Sequence, residues 1–73
     1  MLNKKISIVS EFITLQQLLK LANVISSGGQ AKSFLLNNTI SVNGVKDNRR
    51  GRKLFVGDSV TINNDLCLTI NKK

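Results

Sequence analysis

The sequence lacks the residues on which most catalytic and metal centres depend. It has no histidine and one cysteine, Cys67, so neither a zinc site with the usual nitrogen and sulfur ligands nor a cysteine–histidine catalytic pair is expected. Cys67 cannot form an internal disulfide, and we interpret it as a structural residue of a strand. The four carboxylates form no close pair that could divide the acid and base roles of catalysis. We therefore expect a binding protein rather than an enzyme, without metal, cofactor or small-molecule substrate.

Long hydrophobic runs are also missing. No stretch approaches the roughly 18–20 apolar residues that a membrane-spanning helix needs. The first residues carry Lys4 and Lys5, but Ser7, Ser10 and Glu11 interrupt anything that could serve as the core of a signal peptide. No proline or repeat divides the 73 residues, which is a length for one domain. We expect a single domain over residues 1–73, monomeric and cytoplasmic.

Aromatic residues are scarce as well. Phe12, Phe34 and Phe55 are the three present, and Phe34 falls on the apolar stripe of a predicted helix. Proteins that bind single strands stack bases on aromatic side chains. The sequence gives little support to that mode and favours recognition through shape and phosphate.

Positive charge is what the sequence has in excess. Its net charge of +7 favours a polyanionic partner, and nucleic acid is preferred to a membrane surface because no basic amphipathic helix is apparent. Five basic residues and one acidic residue lie in Lys46–Lys53, which we call the basic loop; they leave +4 there, more than half of the total. All three arginines, Arg49, Arg50 and Arg52, belong to this loop. Arginine binds phosphate through a planar fork, although a charged loop can also be merely solvated.

The first half of the chain predicts two helices. Apolar residues recur at helical spacing from Leu15 to Ile25, after a Thr14-x-x-Gln17 capping box. A second helix is predicted over residues 28–36, after a similar Ser27-x-x-Gln30 pattern. Since one or two residues separate them, we expect a tight helix-turn-helix.

Alternating apolar residues predict strands elsewhere. One is a short edge strand around Ile6 and Ile8, and others lie in residues 39–42, in 54–63 around Gly57-Asp58, and in 66–70. Asn43-Gly44 is a strong signal for a hairpin turn. The expected fold class is α+β, with the helix pair packed on a small antiparallel β-sheet.

Two weaker candidates for chemistry lie in the helical half. Gly28 and Gly29 bare backbone amides beside Lys32, where a phosphate could bind, although glycine there can simply let two helices cross closely. Gln16 and Lys20 lie on the polar face of the first helix. Such residues usually form a solvated face unless they line a groove with the basic loop.

In this order, the helix pair, the hairpin and the basic loop resemble a known family. Residues 13–62 are similar to the S-four RNA-binding domain, the αL RNA-binding motif named after small-subunit ribosomal protein S-four. The resemblance is carried by SGGQAK at 27–32, VNG at 42–44 and VGD at 56–58. The strings SGGQAKSFL and DNRRGRKL are further similar to short stand-alone bacterial members of the YaaA type.

The resemblance implies a structured-RNA-binding surface made by the first turns of both helices and the following hairpin, with ribosomal RNA and the ribosome as expected partners. The family often has arginine where this chain has Gly28, so the loop arginines would compensate. Together, residues and resemblance give these candidate RNA-binding residues: Gln16, Lys20, Ser27, Gly28, Gln30, Lys32, Asn43, Lys46, Arg49, Arg50, Arg52 and Lys53. We expect the loop arginines to be replaceable without loss of the fold. A protein-interaction adaptor for an acidic partner and a nonspecific duplex-DNA binder are the alternatives.

Overall fold

Seven strands and two α-helices follow one another along the chain in the computed structural model, which describes residues 1–73. The elements are β1 (Leu2–Ile8), β2 (Phe12–Thr14), α1 (Leu15–Leu21), α2 (Ala31–Asn37), β3 (Ile40–Val42), β4 (Val45–Lys46), β5 (Lys53–Phe55), β6 (Ser59–Ile62) and β7 (Leu66–Lys72). A 3-10 turn, Gly28–Gln30, leads directly into α2. The expected α+β class is confirmed. Neither seven-residue helix is long and apolar enough to cross a membrane.

Five strands form a mixed sheet in the order β1-β7-β6-β3-β4. Four of them are antiparallel neighbours, but β1 runs parallel to β7, with Leu2 opposite Leu66 and Ile8 opposite Lys72. The predicted antiparallel sheet is confirmed for the four strands of the second half, and the parallel edge strand β1 makes the whole sheet mixed. Alternation of apolar residues shows that a segment is a strand, but the period of two is the same for both directions of pairing.

Strands β2 and β5 lie outside this sheet and form an antiparallel ribbon of their own, in which Phe12 faces Phe55 and Thr14 faces Lys53. The sequence patterns did not predict this ribbon as a unit. It brings the residues just before α1 against the residues just after the basic loop.

The predicted hairpin turn is present at Asn43-Gly44. Both residues have positive φ, 52° and 85°, and Val42 pairs with Val45 across the turn. A two-residue turn with two positive φ values matches the twist of the strands, and asparagine followed by glycine is the pair that tolerates it best.

Helix α1 begins where the capping box predicts and ends earlier than expected. The amide of Gln17 donates to Thr14 Oγ1 at 3.2 Å, and the amide of Thr14 donates to Gln17 Oε1 at 2.8 Å. At the other end Asn23 has φ 59°, and the amide of Val24 donates to the carbonyl of Leu19 at 3.0 Å. This is the Schellman arrangement, which ends a helix at a residue of left-handed conformation.

The early end of α1 lengthens the connection to the next helical turn. Residues 22–27 separate α1 from the 3-10 turn, so the predicted linker of one or two residues is wrong. Ala22 and Ile25 are nevertheless buried, which is why the apolar pattern extended beyond the helix itself. Periodicity reports which residues are buried, and here burial continues through a loop.

The core contains sixteen buried residues, all apolar. Helix α1 contributes Leu15, Leu18 and Leu19, and α2 contributes Ala31 and Leu35. The predicted inward residues of the last strands are confirmed: Val60, Ile62, Leu68 and Ile70 are buried and Leu66 is partly buried. The helices and the sheet therefore share one core. The basic loop begins in β4, the edge strand of the sheet.

Candidate nucleic-acid interface

The basic loop is attached by its backbone to the first turn of α1. The amide of Leu15 donates to the carbonyl of Arg52 at 2.9 Å, and the amide of Gln16 donates to the carbonyl of Arg50 at 3.1 Å. The first amides of a helix have no partners within the helix. Here the loop supplies them, so these two amides are not free to hold a phosphate, and the loop is held in place beside α1.

Asp47 organises the inside of the basic loop. Its side chain is only 8% exposed and accepts hydrogen bonds from Arg49 Nη2 at 2.8 Å and from Arg52 Nη1 at 2.7 Å. It also accepts the backbone amide of Arg49 at 3.0 Å. The Arg49 guanidinium, and Arg52 to a lesser degree, holds the pKa of Asp47 well below its usual range, and Asp47 in turn raises the pKa of Arg49.

The three arginines consequently differ. The Arg52 side chain forms an ion pair with Asp47 and is only 32% exposed. Arg49 is also paired with Asp47, but its side chain is 70% exposed and can present its remaining donors to solvent. Arg50 is exposed and forms no ion pair. Arg50, with the exposed Lys46, is therefore the loop cation most available to a phosphate.

Gln16 connects the loop to the 3-10 turn. A Cβ atom added to Gly28 would lie 2.5 Å from Gln16 Nε2, so the end of the Gln16 side chain occupies the space next to this glycine. Gly29 has no such neighbour within ordinary contact distance except Ser27 Oγ at 3.9 Å. The neighbour of Gly28 is thus the end of a flexible side chain and not the backbone of a crossing helix. Gln16 places α1, the basic loop and the 3-10 turn side by side.

The remaining helical candidates differ in how their side chains are used. Gln30 folds back, and its Oε1 accepts the amides of Ser26 at 2.6 Å and Ser27 at 3.2 Å. Lys32 is exposed in the first turn of α2. Lys20 is exposed in the last turn of α1, where it borders a shallow depression. Gln30 therefore stabilises the turn, whereas the two lysines present their charge to solvent.

Asn43 has a framework role. Its Oδ1 accepts the amide of Ser59 at 3.0 Å and its Nδ2 donates to Asp58 Oδ1 at 3.0 Å. Asp58 Oδ2 accepts the amide of Phe55 at 2.8 Å. The Val-Asn-Gly and Val-Gly-Asp motifs are thus joined by hydrogen bonds, and the Asn43 side chain is already occupied on both of its polar atoms.

Sequence reasoning missed an aromatic pair on the β2–β5 ribbon. The rings of Phe12 and Phe55 have centroids 5.9 Å apart and are tilted by 47°. Lys53 Nζ lies 5.0 Å from the centre of the Phe12 ring. The signal was available in the alternation of FIT and KLF, whose central residues Ile13 and Leu54 are buried. That alternation puts both rings on the outer face.

Comparison with known proteins agrees with this arrangement. The family model described as the S4 domain, the S-four domain above, matches residues 6–70. A protein of Bacillus subtilis (strain 168) named "Probable ribosome maturation protein RlbA" is 63% identical over 57 residues, which cover 78% of this chain and 80% of that protein. The chain belongs to the S4 domain family.

Proposed function

We propose that this protein is a non-enzymatic, cytoplasmic RNA-binding module for structured RNA, with ribosomal RNA as its target and ribosomal particles as its place of action. The observation that carries the proposal is the attachment of the basic loop to the first turn of α1 through Arg50 and Arg52. That attachment holds a loop of net charge +4 beside the first turn of α1, which is far from it in the sequence. Family membership and the relative named as a ribosome maturation protein support the same conclusion.

The residues of this surface divide into two groups. Exposed cationic side chains would contact phosphate, namely Lys20, Lys32, Lys46, Arg49, Arg50 and Lys53, of which Arg49 would use the donors that Asp47 leaves open. The others would shape the surface or contribute short polar contacts, namely Gln16, Ser27, Gly28, Gln30, Asn43 and Arg52. In this arrangement the protein selects structured RNA by the shape of the RNA backbone, and the cationic side chains supply most of the affinity.

The test is the salt dependence of binding to a ribosomal-RNA hairpin. Arg50→Ala should reduce the slope of log affinity against log salt by roughly 0.7–0.9, the value for one phosphate contact. Lys5→Ala removes the same charge from β1, at the sheet edge opposite β4, and is the matched control. Its slope should equal that of the wild type.

Equal slopes for the two variants would contradict a phosphate contact by Arg50. Titration with duplex DNA and polyglutamate at the same salt separates the other partner classes. RNA should bind more tightly than either by well over about tenfold, because specific nucleic-acid binding exceeds nonspecific binding by about 10³ or more in DNA-binding proteins. Tighter binding of polyglutamate would favour an adaptor for an acidic protein.

A further inference from the structure

The outer face of the β2–β5 ribbon carries two exposed phenylalanines. Phe12 is 37% exposed and Phe55 is 49% exposed, although burying a phenylalanine ring away from water is favourable. The inner face of the same ribbon carries Ile13 and Leu54, which are 7% and 0% exposed. The ribbon is therefore fully packed on one side, and its aromatic side is left in solvent.

The two rings differ in what covers them. Lys53 Nζ lies over the Phe12 ring at 5.0 Å, so one face of Phe12 has a cation next to it. No basic side chain lies over Phe55, and it is the more exposed of the two. The 47° tilt keeps the rings from forming one flat surface, so a planar group can stack on Phe55 while Phe12 supports it from the side.

This aromatic pair is continuous with the basic loop. Lys53 is the last residue of the loop and the first of β5, two residues before Phe55. Across the ribbon Lys53 pairs with Thr14, the N-cap of α1. A ligand that contacts Arg50 and the start of α1 therefore lies within a few residues of both rings, since a strand advances only about 3.3 Å per residue.

We infer that Phe55, assisted by Phe12 and Lys53, forms a stacking site for one unpaired base at the junction between the double-stranded and single-stranded parts of the bound RNA. The inference rests on the proposed RNA binding and adds a second mode of contact to it. An aromatic face next to several cations suits a nucleotide, whose base stacks while its phosphate meets the cation. The adjacent basic loop, with a net charge of +4, favours RNA, which is a polyanion, over an apolar protein surface as the ligand.

The test uses two ribosomal-RNA hairpins, one blunt and one with a short unpaired 3′ tail whose first base is 2-aminopurine. Phe55→Leu keeps an apolar side chain and removes the ring. It should weaken binding of the tailed hairpin by about fivefold or more, the lower end of what loss of one stacked base costs, and leave the blunt hairpin within about twofold. Wild-type protein should quench the 2-aminopurine fluorescence, and Phe55→Leu should restore it.

Leu36→Ala is the matched control, because it removes another exposed apolar side chain, 70% exposed, from α2. It should change neither hairpin's affinity. Circular dichroism of each variant checks the fold, and the quenching by wild-type protein needs no variant at all. Equal binding of both hairpins, without quenching, would overturn the stacking site while leaving the proposed function intact.

Two other results separate the remaining explanations. Failure of wild-type protein to bind either hairpin would contradict the proposed RNA binding itself. Normal binding of both hairpins by Phe55→Leu, together with loss of co-sedimentation with ribosomal particles, would assign the aromatic pair to a protein contact and overturn the stacking site.

Discussion

At the scale of single residues, the basic loop contains its own counter-ion. Asp47 is the only acidic residue among six charged ones, and both Arg49 and Arg52 bind it. The expectation that all three arginines can be replaced without loss of the fold stays a prediction, but the pairing of Arg52 with Asp47 adds a cost in stability at Arg52. The carboxylate of Asp47 is nearly enclosed, and an enclosed charge that loses a partner costs free energy.

Arg52→Ala should lower the free energy of unfolding by about 1–3 kcal/mol, because it removes a charged hydrogen bond to Asp47. Arg50→Ala, an exposed residue without an ion pair, is the control and should change stability by less than about 0.5 kcal/mol. Urea unfolding followed by circular dichroism measures both. Equal stability of the two variants would mean that Asp47 does not need Arg52.

At the scale of elements, α1 is short and depends on its ends. Seven residues are too few for a helix to be stable alone in water. The capping box at Thr14, the loop carbonyls of Arg50 and Arg52, and the left-handed Asn23 together satisfy most of its terminal groups. The same contacts that stabilise α1 therefore also position the basic loop.

Thr14→Ala should destabilise the protein by about 1 kcal/mol, the usual cost of losing an N-cap side chain. Thr14→Ser retains the hydroxyl that accepts the amide of Gln17 and should stay close to the wild type. Thermal unfolding of the three proteins at one pH provides the measurement. A serine variant as unstable as the alanine variant would show that the methyl group of Thr14, rather than the cap, is what matters.

At the scale of the whole molecule, charge balance makes stability depend on acid. The chain has eleven basic and four acidic groups, so protonation of the carboxylates raises the net charge from +7 toward +11. Asp47 contributes most specifically, because its pKa is lowered in the fold by the hydrogen bonds of Arg49 and Arg52. In the unfolded chain an aspartate has a pKa of about 3.9.

Because the folded pKa of Asp47 is the lower one, the stability it contributes is present above about pH 4 and is lost as the pH falls below that value. Asp47→Asn should be less stable at neutral pH and should lose less stability on acidification. Urea midpoints across the acidic range measure this. Parallel curves for the two proteins would show that the ion pairs of Asp47 contribute nothing to the acid sensitivity.

The features that could be predicted from the sequence are those set by residues close together along the chain. The Asn43-Gly44 turn and the Thr14 capping box depend on residues within a few positions of one another, and both are confirmed. The parallel direction of β1, the β2–β5 ribbon and the division of labour among the arginines depend on contacts between distant segments. Asn23 is an intermediate case, because asparagine tolerates the left-handed conformation that ends a helix, but the apolar pattern continues past it to the buried Ile25.

The pairing of β1 with β7 has a consequence for folding during synthesis. β1 has one neighbour in the sheet, β7, and every other strand of the sheet lies between these two along the chain. Until residues 66–72 have been synthesised, β1 lacks the strand with which it pairs. The edge of the sheet is therefore completed late in synthesis, and a lysine-bearing strand stays unpaired until then.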